Sequence, residues 1–360
     1  MAGAEKDLLS FVSAMGGERA LRVEENLGEG YVRLRVSEAE RRQAKQDVRC
    51  VEDAVIELLR NARDAGARHV YVATSREGDL RTTTVLDDGA GIPEDMHERV
   101  FEARVTSKLD SVRTDRWGVH GRGMALFSIR ENAVSAEVAS SVPGGGAAIR
   151  VVTDATRLPE RADQSSWPEV EEGEGGALSC VRGPHNIVRT CCEFALDEHP
   201  GLEVYLGSPA EVVATAHARA AITVDSSELL FLDSLEGLPV LERLRVSSDA
   251  AELREQASAL GLGMSERTAH RIVSGEIRPL ASVVSRLTGR AAPPASREVD
   301  LARDRRSLRV SREDLEEFTR ALERDFDLLA ERYYLSLSAD PRVRVGRGRI
   351  TVTFDLEEAD

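Results

Sequence analysis

Apolar residues recur at helical spacing at Val51, Val55, Leu58, Leu59 and Ala62, which predicts an amphipathic helix with one buried stripe. Glu57, Asn61 and Asp64 fall at i, i+4 and i+7 and share a different stripe of that helix. Val70 to Ala73 and Thr82 to Leu86 read as two strands joined by a turn at Gly78-Asp79. Asp87-Asp88-Gly89-Ala90-Gly91-Ile92-Pro93 follows directly. A glycine-rich run from Gly118 to Gly123 precedes a helical stretch, Met124 to Ile129, and two closing strands are expected at Ser135 to Ser141 and Ala148 to Thr153.

The remaining pattern divides the chain further. Residues 1–44 hold an amphipathic piece, Asp7 to Met15, a strand, Tyr31 to Val36, and a charged helical lead-in from Glu38. They form either an arm reaching a partner subunit or a local cover over the sheet. Residues 156–176, acidic and without apolar period, read as a linker. Residues 177–240 read as a β-α-β-α unit, ending on a short strand at Ile222 to Val224. Residues 241–290 hold two helices, Ala251 to Leu260 and Ser265 to Val273, around the turn Gly261-Leu262-Gly263-Met264. After a linker at Ala291 to Ser296, residues 297–360 give a basic strip, a long helix from Ser311 to Tyr334 and a hairpin from Arg342 to Phe354.

Three of these stretches carry candidate chemistry. An amide one turn from a carboxylate can address the same ligand, and the Asn61 amide oxygen is a hard, neutral ligand suited to Mg²⁺. Glu57 is then free to orient and deprotonate a water. Asp87, if buried, can accept from an exocyclic amine, and the glycines beside it let backbone approach a flat ring. Glycines ahead of a helix start form an anion site. Taken separately, each has a plainer reading: a solvated helix face, a strand-ending turn, a loop.

Taken in order, ELLRNARDAGA, DDGAGIP, TSKL and GVHGRGMAL resemble the four successive boxes of the GHKL ATPases (gyrase, heat-shock chaperone, histidine kinase, MutL). NARDAGA and TSKL are most similar to MutL-type mismatch-repair proteins and the topoisomerase VI B subunit. The resemblance covers roughly residues 45–153, within a domain set at 45–155. It implies an α/β class with a Bergerat (histidine kinase-like) α/β sandwich binding ATP and Mg²⁺. By position the β-α-β-α unit would be a transducer-like domain, followed by a helical, helix-turn-helix-like region. The resemblance makes Glu57 the general base, Asn61 the Mg²⁺ ligand and Asp87 the adenine contact. Asp64, Ala65, Gly89, Gly91 and Ile92 would complete the base pocket. Thr106, Ser107 and Lys108 would belong to a lid, and Gly118, Val119, His120, Gly121, Arg122, Gly123 and Met124 would cradle phosphates.

There are two departures. The family's last strand carries a Gly-Thr pair where this chain has Gly146-Ala147-Ala148, with Thr153 a distant substitute. Lysine occurs only at positions 6, 45 and 108, so the lysine that relatives send from the second domain to the γ-phosphate is missing. Arg182 or Arg189 is the expected replacement.

Composition narrows the partners. A net charge of −15 disfavours non-specific coating of nucleic acid, and aromatics at 4% disfavour base-stacking platforms. With no long apolar run, a cytoplasmic protein without a membrane segment is expected. The four cysteines do not make a disulfide scaffold, and His185, Cys192 and His199 are too widely spaced for one metal ion. The stretch 253–279 resembles a helix-turn-helix in which Ser265, Arg267, Thr268, His270 and Arg271 would meet DNA. Two readings result: an ATP-gated homodimer acting on DNA with a processing partner, or a stand-alone ATPase switch that binds proteins.

Overall fold

The computed structural model describes residues 23–107, 113–120, 123–161, 163–173, 178–223, 234–289, 318–322, 326, 335–338, 341–346, 349–354 and 356–358. Two compact units divide between Ala295 and Ser296.

The first unit begins with a hairpin, β1 (Val23–Gly28) and β2 (Tyr31–Leu34), then α1 (Glu38–Ala44), which is closed by a Ser37/Glu40 capping box. Helix α2 (Val51–Asp64) buries Val51, Ala54, Val55, Leu58, Leu59 and Ala62, as the apolar stripe requires. Strands β3 (His69–Glu77) and β4 (Leu80–Asp87) follow, then the short β5 (Val105–Thr106). Next come the hairpin β6 (Arg113–Asp115) and β7 (Gly118–His120), helix α3 (Ala125–Asn132), and strands β8 (Ser135–Ser141) and β9 (Ala147–Asp154). Beyond these lie β10 (Glu169–Glu172), β11 (Leu178–Arg182), α4 (Ile187–Glu198), β12 (Glu203–Gly207) and α5 (Pro209–Arg219). The unit ends with α6 (Val240–Val246), α7 (Ala250–Ala259), α8 (Glu266–Val273) and α9 (Val283–Leu287).

The central sheet runs β12-β3-β4-β9-β8, antiparallel except where β12 pairs parallel with β3. Side chains alternate across it. Val70, Val72, Val85, Ile149, Val151, Val204 and Leu206 join α2 and α4 in one core. Tyr71, Ala73, Leu86, Ala148 and Tyr205 join α5, α6, α7 and α8 in a second. The architecture therefore has three layers, with helices on both faces of the sheet.

Two expected domain boundaries change accordingly. The 177–240 segment is not set apart: its strand β12 completes the central sheet, Val204 to Val70 and Leu206 to Val72 in register, and Tyr205 stacks on Tyr71 at 4.8 Å. Val204 and Leu206 bury on one face and Tyr205 on the other, which suits a strand covered on both sides. No strand forms at Ile222–Thr223; Glu242 accepts hydrogen bonds from the Thr223 N–H at 2.8 Å and hydroxyl at 2.6 Å, and Val224 lies outside the described residues. The 241–290 helices likewise pack on the sheet. Thr84 Oγ1 donates to the Gly261 carbonyl at 2.9 Å, and a side chain at Gly261 would meet Arg150 and Ala139.

The expected linker at 156–176 is a strap. Glu160 grips the buried Arg81 guanidinium by two bonds of 2.7 and 2.8 Å, and the Arg161 N–H donates to buried Glu52 at 3.1 Å. Trp167 lies under the Arg286 guanidinium at 3.8 Å, and β10 pairs with β11. A charged segment reads as solvated when its partners stand some 80 residues away in the chain. Near the N-terminus, β2 pairs with β5, Val32 opposite Thr106, so the described part of the arm packs locally. Residues 1–22, including the expected helix at 7–15, lie outside the described residues, as do the linker at 291–296 and most of the helix at 311–334.

In the second unit Arg342–Gly346 pairs with Arg349–Thr353, Leu335–Leu337 pairs with Leu356–Glu358, and Phe326 stacks on Phe354 at 5.1 Å.

Breaking the strap's ion pair leaves Arg81 buried without its anion, so Glu160→Gln is expected to cost about 3–5 kcal/mol in urea unfolding. A change under ~1 kcal/mol would show that the strap does not secure the sheet.

Candidate functional site

The apolar stripe of α2 faces the sheet, and the neighbouring stripe faces a cavity of about 1080 Å³. Glu57, Asn61, Asp64 and Ala65 line it from α2. Asp87, Gly91 and Ile92 line it beyond the end of β4; Thr106, Ser107, Gly123 and Met124 line it from the opposite wall.

At the inner end, Asp87 is buried and accepts the Gly89 N–H at 2.8 Å. Val85, Ala147 and Ile149 add apolar surface beside it. Gly89 stands behind this wall, where a Cβ would come within 2.9 Å of Ala65. Gly91 has φ +70°, and a Cβ there would sit 2.0 Å from the Val142 carbonyl oxygen. Only glycine meets both demands. Asp88, the second acid of the turn, does other work: it accepts the Arg68 and His69 N–H groups at 2.7 and 2.9 Å and the His69 ring at 2.7 Å. Thr153 does not reach the cavity; it faces the Arg81 carbonyl at the far end of the sheet. Ser141, which no spacing in the sequence singles out, takes the linking place, accepting the Ile92 N–H at 2.7 Å and donating to the Gly146 carbonyl at 2.9 Å.

At the outer end, Gly123 precedes α3 with φ +65°, its carbonyl accepting the Arg104 N–H at 2.7 Å. Gly118 and the backbones of Val119 and His120 form β7, whereas Lys108, Gly121 and Arg122 lie outside the described residues. The Asn61 amide nitrogen is buried without a hydrogen-bond partner, so the protein does not pin that amide. Its oxygen suits a hard cation, and among the described residues no cluster of three His, Cys, Asp or Glu side chains offers another metal site. The cysteines are free, and burial pushes the Cys50 thiol up to about 11.

Glu57 accepts from Arg60 Nη1 at 2.6 Å, and Arg60 Nε donates to Asp115 of β6 at 2.9 Å. Arg63 links Asp64 at 3.0 Å and Glu198 of α4 at 2.9 Å. Burial alone would raise the Asp115 carboxyl, but Arg60 and the Trp117 N–H hold it below the usual carboxylate range. The i, i+3 spacing could have revealed the Glu57–Arg60 pair; nothing local signals Asp115.

Neither expected lysine substitute lines the cavity. Arg189 is held by Glu193 at 2.9 Å and by the Gly183 and Cys180 carbonyls, and Arg182 lies exposed in β11. Arg161 of the strap does line it. The expected DNA-facing set sits on α8, far in the fold from the cavity wall: Ser265 caps the helix through the Thr268 N–H, and Arg267, His270 and Arg271 are exposed. His270 lies 3.9 Å from Glu266 and Arg271 3.2 Å from Glu276, so acids offset two of the three basic groups.

Residues 46–157 match the family model "Histidine kinase-, DNA gyrase B-, and HSP90-like ATPase". The chain is 34% identical over 164 residues to the DNA mismatch repair protein MutL of Thermus thermophilus, spanning 45% of this chain and 30% of that protein. It is 45% identical over 84 residues to the MutL of Thermus aquaticus, covering 23% of this chain and 15% of that one. Against the MutL of Acidiphilium cryptum the identity is 41% over 108 residues, 30% and 18% of the two chains. The chain thus spans under a third of the length of these relatives. A mycobacterial sensor histidine kinase, MprB, superposes with a TM-score of 0.20 at 19% identity over 34% of this chain and 75% of that one, a similarity too low to weigh.

Two measurements test the turn. Gly91→Ala must shift backbone, and is expected to lower stability by about 1–3 kcal/mol; an unchanged urea midpoint would contradict the tight approach to Val142. The hydrogen bond to Asp88 raises the His69 pKa, so the pair stabilises the fold below about pH 6.5 and loses that contribution as pH rises through the folded value. Wild type is therefore expected to lose its Tm advantage over His69→Gln as pH rises above about 6.5, and a pH-independent difference would refute the linkage.

Proposed function

We propose that the chain, whose residues 46–157 match the family model of histidine kinase-, DNA gyrase B- and HSP90-like ATPases, binds and hydrolyses ATP in the cavity beside α2. What supports this most is the convergence of Glu57, Asn61, Asp87 and Gly91 on one cavity.

In this reading the adenine amine donates to Asp87 while Val85, Ile149 and Ile92 flank the ring. Asn61 holds the magnesium ion through its amide oxygen, and the ion, when bound, neutralises phosphate charge. Gly123, Met124, Thr106 and Ser107 offer backbone and hydroxyl groups to the phosphates. Glu57 positions a water and takes its proton as the water attacks the γ-phosphorus. Arg161, brought to the cavity by the strap, supplies the cation that relatives draw from a lysine.

The name shared by the relatives, DNA mismatch repair protein, supports work on DNA; in that reading the chain is an ATP-gated homodimer with a DNA-processing partner. Against this stand the −15 net charge and the acids beside His270 and Arg271, which favour a switch that binds proteins. Turnover with and without duplex DNA separates the two. Glu57→Gln is expected to lower ATP turnover by about 10²–10⁴-fold. Stimulation by DNA supports the DNA reading; DNA-indifferent turnover supports the protein switch. Equal hydrolysis by wild type and Glu57→Gln would remove Glu57 from its role.

A further inference from the structure

Arg60 is the largest fully buried side chain among the described residues, 2% exposed, and it stands between two carboxylates of different origin. One edge of its guanidinium, Nε and Nη2, engages both oxygens of Asp115 in the β6–β7 hairpin, and Nη2 also lies 3.4 Å from the Gly118 carbonyl. The remaining nitrogen, Nη1, donates to Glu57. A planar fork serves two acids this way only while both are in place.

The hairpin's position is fixed from two sides. Asp115 also approaches Arg63 at 3.4 Å and accepts the Trp117 N–H at 3.0 Å. Trp117 packs against Phe194 of α4 at 6.0 Å, and Arg116 lies within 3.6 Å of Glu193 and 3.5 Å of Asp197. Helix α4 lies outside the residues that match the ATPase family model.

Were the hairpin to leave, Arg60 would lose both bonds of its Nε–Nη2 edge. A cation that loses one anion gains by turning to the other within reach. The carboxylate next to it is Glu57, which would then receive the freed edge of the fork and be drawn from its water. We propose that Arg60 is a positioning residue through which the docked hairpin, by Asp115, keeps Glu57 available as the base. This rests on the ATPase reading above. Hydrolysis then depends on hairpin docking through one shared guanidinium, and α4 has a hold on turnover.

The test uses the full-length chain with Trp167→Phe, which leaves Trp117 as the single tryptophan. Asp115→Asn is expected to lower kcat by about tenfold or more while the Kd of a non-hydrolysable ATP analogue stays within about twofold. In an Arg60→Met background, or Arg60→Lys should the first not fold, Asp115→Asn is expected to lower kcat no further, since Asp115 acts through Arg60. Multiplying losses would overturn the proposal, as would full kcat in Asp115→Asn or a loss confined to nucleotide affinity. Trp117 emission without nucleotide reads docking directly: a red shift in Asp115→Asn is expected, and an unshifted spectrum overturns the latch. If the Trp167→Phe protein and wild type both lack turnover, the ATPase reading fails, and emission alone decides whether Asp115 holds the hairpin.

Discussion

Everything in the cavity depends on how α2 lies on the central sheet. Val55, Leu58, Leu59 and Ala62 press against Val70, Val72 and Val85, and this contact fixes the rotation of the helix about its own axis. Once that rotation is set, Glu57, Asn61 and Asp64 have no choice of direction. A turn of the helix by one residue, about 100°, would expose the stripe and carry the polar groups into the core. The hydrophobic contact is non-directional in origin, yet here it orients chemistry, because two stripes of one rigid element cannot be moved separately.

Legibility in the sequence followed the range of the interactions. The α2 stripe, the β3–β4 strands and the glycine turn after Asp87 are local patterns, and their elements form with ends displaced by only a few residues. The site residues on them are brought to one cavity for the same reason. Features built from distant partners were hidden. Glu160 looks like one acid among many until Arg81 stands beside it, and Asp115 acquires meaning only from Arg60. Both are charged residues in charged stretches, where composition argues for solvent and only the fold supplies a buried partner. Thr153 misled for the opposite reason: its residue type suited the site, but its register placed it at the other end of β4.

The two faces of the sheet divide labour. One face, with α2 and α4, carries the cavity and the shared guanidinium. The other, with α5 to α8, is an apolar layer that includes the helical pair resembling a DNA-reading motif. The buried positions of that pair, Leu253, Ala257, Leu260, Leu262 and Ile272, are explained by packing in one core with Tyr71, Leu86 and Ala148. Helix pairs meeting at a tight turn share this apolar pattern whatever their outer face does, which is why the motif alone carries little information about DNA.

The parallel strand β12 lies beyond the segment matched by the family model yet completes its sheet. The match to the family model ends at residue 157, but the sheet is finished only by residues 203–207. A chain ending at that border would bare one edge of β3 and leave open the backbone groups that β12 engages. Such an edge is a template for pairing with other chains. During synthesis the ribosome must release about fifty further residues before that edge can close. The segment matched by the family model is thus smaller than the sheet it belongs to, and the later strand shields an edge that the earlier segment would leave open.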